Sequence, residues 1–236
     1  MDAQSGDSIG DRLTLVRGQI RRAMQATGRP EGSVRLVAAT KTVSVERIRE
    51  AVAAGLMLAG ENRLQEALPK IEALRSEPLR WHFIGQLQRR KARSVIGVFD
   101  LIHSVDSLEL AQEIDRRAEA AGLRQDILLE VNIGEEATKA GFDSKELERV
   151  LPQLGSLMHV AVKGLMTVPP PVKEPEEART YFRRLRELAA TLAQQRIPRI
   201  SMNELSMGMS NDYPVAIEEG ATLVRIGTAI FGARHV

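Results

Sequence analysis

The 236-residue chain contains no cysteine, which excludes disulfides, zinc thiolates and a thiol nucleophile and leaves the redox compartment undecided. Aromatic residues are nearly as scarce, with five Phe, two Tyr and one Trp. None is interleaved with a basic run, so there is little to stack on nucleic-acid bases. No stretch of about 18 apolar residues occurs, and the polar start, Met1-Asp-Ala-Gln-Ser-Gly-Asp7, lacks the apolar centre of a secretory signal. A soluble, cytoplasmic protein without membrane contact is expected. A dominant charge is also missing. The 33 basic and 31 acidic residues are interleaved and leave a formal +2. The pI near 9.1 therefore reflects a small arginine excess, weak ground for nucleic-acid binding. The four histidines, at 82, 103, 159 and 235, show no metal-ligand spacing.

What is present is a repeating pattern. With 43% hydrophobic residues the chain is long enough for one substantial core. We expect a mobile segment over 1–10 and a single domain over 11–236. An amphipathic helix over 11–27, with Leu13, Val16, Ile20 and Met24 on one face, precedes the repeats. Strands are expected at 34–40, 56–59, 81–84, 101–104, 127–132, 160–166, 203–207 and 223–226. Between them lie helical patterns at 45–54, 64–74, 86–96, 108–121, 144–154, 176–195 and 213–219. Such alternation predicts parallel strands with right-handed crossovers, and eight units predict a closed single-domain (β/α)8 barrel of the TIM type with an extra N-terminal helix. Segment 203–207 is short and partly polar. A doubly wound open sheet is the alternative if a strand fails.

Unusual polar residues gather at the strand ends: Lys41, Glu61 and Asn62, His82, His103 and Ser104, Asn132, Ser206 to Ser210, and Arg225 to Thr228. In a barrel these converge on the C-terminal rim, where barrel enzymes carry their sites. In the last two segments, Gly208 and Gly227 clear space while Ser206, Ser210 and Thr228 add hydroxyls. That suits phosphate bound by backbone N–H groups, and equally suits tight turns without a ligand. Lysine is rare, seven against twenty-six arginines, so Lys41 at the end of the first strand is not generic surface charge. It is either a solvated amine at the barrel mouth or one that condenses with a carbonyl, which requires its pKa to be lowered by desolvation or by a nearby cation such as Arg225. An amine and a phosphate cradle on one rim point to a phosphorylated carbonyl compound, either pyridoxal phosphate or a sugar phosphate. His82 and His103 read as hydrogen-bonded packing residues inside the barrel, the alternative being a general base.

Several segments together resemble the pyridoxal phosphate homeostasis protein family. They are Val37-Ala-Ala-Thr-Lys41, Gly60-Glu-Asn62, Trp81-His-Phe-Ile-Gly-Gln-Leu-Gln-Arg-Arg-Lys91, His103-Ser-Val-Asp-Ser107, Gly164-Leu-Met166, Leu205-Ser-Met-Gly-Met-Ser210 and Val224-Arg-Ile-Gly-Thr-Ala-Ile-Phe-Gly232. The family is similar to the barrel domain of bacterial alanine racemases, lacks their second domain, and binds pyridoxal phosphate without an established catalytic activity. The resemblance implies that Lys41 holds pyridoxal 5'-phosphate as an internal aldimine with Asn62 beside it. It implies Ser206, Gly227 and Thr228 around the phosphate, Ser210 as a further contact, and Arg225 against the pyridine nitrogen. Arg90 replaces an expected asparagine, and the loop over 135–138 departs from the family pattern.

A guanidinium can only donate, so opposite Arg225 the pyridine nitrogen is unprotonated and the ring is a weak electron sink. This suits holding the aldehyde, or racemase-like chemistry, better than transamination. Racemisation further needs an acid or base on the second face, which alanine racemases take from a tyrosine of their other domain. This chain offers Tyr181 and Tyr213, with Tyr181 in a helical pattern that packing explains. The leading expectation is a protein that carries, buffers or delivers pyridoxal phosphate, with apoenzymes that use it as partners. The alternatives are an amino-acid racemase on the same cofactor and a cofactor-free Schiff-base aldolase using Lys163. The sequence has no second domain before Val236, so a monomer is expected.

Overall fold

Ser8 and Asp11 start the first helix with a reciprocal cap: the Ser8 hydroxyl accepts from Asp11 N at 3.1 Å and the Asp11 carboxylate accepts from Ser8 N at 3.1 Å. Helix α1 (Ile9–Ala26) therefore begins two residues earlier than expected, and Ile9 is buried with Leu13, Val16, Ile20 and Met24. The computed structural model describes residues 8–136 and 139–232. Most of the expected N-terminal tail and part of the divergent loop over 135–138 lie outside them.

Eight parallel strands follow in chain order around a closed barrel. They are β1 (Arg35–Ala39), β2 (Leu58–Glu61), β3 (Arg80–Phe83), β4 (Leu101–Val105), β5 (Gln125–Glu130), β6 (Val160–Met166), β7 (Ile200–Ser206) and β8 (Leu223–Ile226). The helices after α1 are α2 (Val45–Ala53), α3 (Leu64–Ala73), α4 (Leu108–Ala120), α5 (Ser144–Ser156), α6 (Arg179–Ala193), α7 (Tyr213–Glu218) and the short α8 (Thr228–Phe231). Closure excludes the open sheet, because β1 pairs with β8, Val37 lying opposite Arg225 and Ala38 opposite Ile226. The polar seventh strand forms and runs three residues longer at its start than expected. Its Glu204 accepts from Arg35 at 2.5 Å and from the Thr222 hydroxyl at 2.6 Å, so its charge is met across the seam to β8 and β1.

The expected helix over 86–96 is instead a loop and a 3-10 turn, Arg89–Ser94. Arg89 and Arg93 stand four apart in a run of cations, a spacing at which like charges oppose a regular helix. Inside the barrel, Val37, Leu58, Leu101, Leu128, Met166 and Leu223 form a compact core, separate from the larger one between strands and helices.

Candidate functional site

Three consecutive strands, β8, β1 and β2, bring the rim residues together. Ala39 lies opposite Gly60, so Lys41 and Asn62 each stand two residues beyond that pair on adjacent strand ends. Alternation puts Val37, Ala39 and Lys41 on the interior side, as it does Arg225 beside Val37. The approach to Lys41 is pinned from below. The Thr40 hydroxyl donates to Glu61 Oε1 at 2.7 Å, and Lys70 from α3 donates to the same oxygen and to Thr40 O, both at 2.8 Å. Thr40 and Glu61 are fully buried. Immediately after Lys41 the chain turns through Thr42 at φ 63, a left-handed conformation that a β-branched residue adopts only under constraint.

Asn62 is held by close approach of Gly85. A Cβ at position 85 would stand 2.3 Å from Asn62 O and 2.5 Å from its Cα, so only glycine permits this contact. Among the described residues the buried Asn62 Oδ1 has no hydrogen-bond partner, an acceptor waiting for a donor at the rim.

On the other side, the two serines that the sequence does not separate take different places. Ser210 Oγ accepts from the amides of Gly227 at 3.3 Å and Ala229 at 3.4 Å, so hydroxyl and amides converge where β8 passes into α8. Thr228 lies between them. Gly227 approaches the first strand, where an added Cβ would meet Ala39 O at 3.3 Å. Gly208 takes φ +90 against Tyr213 and Ala216, and the Met209 amide donates to Asp212 at 2.6 Å. Ser206, by contrast, is fully buried within the barrel. Its hydroxyl accepts from Arg225 Nη1 at 2.5 Å and stands 2.8 Å from His103 Nδ1.

Arg225 is fixed by two further bonds, Nη1 to Ser206 O and Nη2 to Thr167 O, each 2.9 Å. Burial pulls its pKa down to about 10, against the pull of Glu130 and Asp212, so it remains a cation at neutral pH. The guanidinium keeps Nε–H and one Nη2 hydrogen for a ligand. His103 is in turn 2.8 Å from His82. Burial holds His82 down at about 3 and His103 well below the ordinary value, so both imidazoles are neutral, as packing residues inside the barrel. Glu130 at the end of β5 is pushed up to about 7 by burial and by Asp106, with Arg225 opposing.

Sequence reasoning missed the Lys70–Glu61 pair and Glu130. An apolar-run criterion stops at a charged residue, and Lys70 reads as helix surface until the fold turns it inward. The remaining candidates are placed elsewhere. Lys163 pairs with Asp126, near the start of β5, at 3.3 Å, away from the rim. Tyr213 is buried and donates to Gln19 of α1, and Tyr181 packs on the outer core. The Arg90 guanidinium donates to Gln88 on the surface. Among the described residues no group of three or more His, Cys, Asp or Glu is arranged to hold a metal ion, and no helix is long and apolar enough to cross a membrane.

The rim fits a phosphorylated pyridine aldehyde. It offers an amine at Lys41, an unpartnered buried acceptor at Asn62, a fixed buried guanidinium at Arg225, and the Ser210 and Thr228 hydroxyls beside the Gly227 amide.

Residues 13–235 match the alanine racemase N-terminal domain model. The pyridoxal phosphate homeostasis protein of Aquifex aeolicus is 48% identical over 224 residues, 95% of this chain and 97% of that one. The solved structure of PipY from Synechococcus elongatus with PLP bound superposes with a TM-score of 0.84 at 41% identity, covering 95% of this chain and all of that one. An alanine racemase of Clostridium difficile shares the fold, with a TM-score of 0.73 at 16% identity over 96% of this chain and 58% of its own. The chain therefore belongs to the pyridoxal phosphate homeostasis protein family, built on the barrel of the alanine racemase N-terminal domain.

Proposed function

We propose that this protein binds pyridoxal 5'-phosphate and holds it for homeostasis of the cofactor, carrying, buffering or delivering it rather than using it for turnover. The cofactor supplies an aldehyde that an amine captures reversibly. Lys41 is the covalent anchor, held at the barrel mouth by the buried Thr40, Glu61 and Lys70 contacts below it. Asn62 offers its open acceptor beside the ring. Arg225 donates to the ring nitrogen. Ser210, Gly227 and Thr228 receive the phosphate, and Ser206, whose hydroxyl is engaged by Arg225 and His103, serves Arg225 instead.

The observation that carries the reading is the convergence of these groups on adjacent strand ends, with a guanidinium as partner of the ring nitrogen. A donor-only partner withholds the proton that would make the ring a strong electron sink. That favours storage over turnover, as does the engagement of both tyrosines in packing, the Tyr213 hydroxyl donating to Gln19 of α1 and Tyr181 lying on the outer core. The proposed setting is the cytoplasm, where apoenzymes that receive the cofactor are made, and the proposed state is a monomer.

The test is an absorbance titration of purified protein with pyridoxal 5'-phosphate, comparing wild type with Lys41→Ala. A band near the visible edge that requires Lys41 supports the reading. An identical band in the variant would remove Lys41 from it, and a wild type that binds nothing would end it.

A further inference from the structure

The hydrogen bonds beneath Arg225 form a chain whose direction can be worked out. A guanidinium has no acceptor, so Arg225 Nη1 must donate to Ser206 Oγ, 2.5 Å away. Among the described residues, the one acceptor within reach of the Ser206 hydroxyl hydrogen is His103 Nδ1, at 2.8 Å. That nitrogen is therefore the bare one, and His103 carries its hydrogen on Nε2. Nε2 lies 2.8 Å from His82 Nδ1, which must accept, so His82 is also protonated on Nε2. Its hydrogen goes to the cavity of about 500 Å3 that His82 lines between α1 and the starts of β1 to β3. Every bond runs the same way, from the rim to the lower end of the barrel. Reversing one member would leave the buried Ser206 hydroxyl hydrogen without an acceptor, or set two donors or two lone pairs against each other, which is costly at this burial. The two imidazoles come from neighbouring strands with ring centroids 4.9 Å apart, and His103, Ser206 and Thr40 are all within a percent of fully buried.

We propose that Ser206 and His103, backed by His82, are positioning residues that fix the rotamer and donor directions of Arg225 toward the cofactor ring, with His103 locked as its Nε2–H tautomer. The proposal rests on the reading of Arg225 as the ring-nitrogen partner. The chain acts by geometry alone. With Nη1 consumed by the Ser206 hydroxyl and carbonyl and Nη2 tied to Thr167, the guanidinium cannot rotate, and its remaining hydrogens point where the fold sets them. Ser206 thereby acquires a role on the ring side of the site, distinct from that of Ser210.

Two experiments test it. The first is a long-range 15N–1H imidazole correlation spectrum of cofactor-free wild type, assigned with single His→Gln variants. The proposal expects a neutral His103 with Nε2 protonated and Nδ1 accepting. The opposite tautomer, an averaged mixture or an imidazolium would overturn it. The second compares Ser206→Ala and Ser206→Thr in the loaded protein. Loss of one hydrogen bond to a charged donor should speed cofactor release by about tenfold and shift the absorbance of the bound cofactor, and threonine, which restores a hydroxyl, should recover both. An alanine variant matching wild type in both readouts would overturn the positioning role. Wild type that takes up no cofactor would instead overturn the reading of the site itself, and the cofactor-free spectrum is independent of that result.

Discussion

Arg225 donates twice to Ser206 through a single nitrogen, to its carbonyl at 2.9 Å and to its hydroxyl at 2.5 Å. One residue of β7 thus sets the orientation of the guanidinium on β8, although the two strands share a single register pair, Ser206 with Leu223. The bond to Thr167 O at 2.9 Å extends the clamp to the end of β6. The fork is a property of arginine and not of positive charge as such.

Arg225→Lys should therefore behave nearly as badly as Arg225→Gln. Removing a charge-assisted donor from the ring is expected to weaken cofactor binding by about ten- to a hundredfold, and a lysine cannot reach Ser206, Thr167 and the ring together. Equilibrium dialysis against pyridoxal 5'-phosphate measures this. A lysine variant with wild-type affinity would show that charge alone suffices.

Gly85→Ala tests the support under Asn62. The added methyl would stand 2.3 Å from Asn62 O, which is backbone and cannot turn aside, so the strand end must shift. A destabilisation of about 2 kcal/mol is expected, read from the urea midpoint, together with weaker cofactor binding. A variant with unchanged midpoint and affinity would contradict the account of this contact.

Lys70→Met leaves the fully buried Glu61 carboxylate without its cation, keeping only the Thr40 hydroxyl. Breaking a buried pair from one side costs about 3–5 kcal/mol. The double variant Lys70→Met with Glu61→Gln removes the orphaned charge and should recover most of that loss. A double variant no better than the single one would show that Lys70 matters for packing and not for charge.

His82 and His103 make the fold sensitive to acid. Their folded-state pKa values lie below the ordinary 6.5, that of His82 at about 3, so the unfolded chain takes up protons first. The stability they contribute is full above pH 6.5 and is lost as pH falls below it, at about 1.4 kcal/mol per pH unit for each proton that the unfolded chain takes up and the folded pair does not. Glu130 works in the opposite sense. Its pKa rises from 4.5 to about 7, so its contribution is present below 4.5, is lost as pH rises through 7, and offsets one histidine between pH 4.5 and 6.5. Urea midpoints of the cofactor-free protein across pH 4 to 8 should fall on the acid side, and His82→Asn should flatten that fall. A variant with the wild-type slope would contradict the assignment.

Much of this was legible in the sequence because barrel strands are short apolar runs closed by polar residues. Segments 160–166 and 223–226 coincide with β6 and β8 for that reason. The second strand was displaced, expected at 56–59 and observed at Leu58–Glu61, because a charged residue normally ends an apolar run and Glu61 is charged yet buried against Lys70. Lys41, Asn62, Arg225, Gly227 and Thr228 were readable as strand-end residues. The separate places of Ser206 and Ser210 were not. Both are serines in one short motif, and only the position of β7 decides which one lies inside the barrel and which one meets the amides of α8. The His82 to His103 contact was equally hidden, since it depends on how far β3 and β4 are staggered.

The most direct test of the central claim is borohydride reduction of the protein loaded with pyridoxal 5'-phosphate, followed by peptide mapping across its seven lysines. The account predicts one reduced adduct per chain, on the peptide carrying Lys41, and none in Lys41→Ala. An adduct on Lys163, or label spread over the other lysines and unchanged in Lys41→Ala, would contradict it.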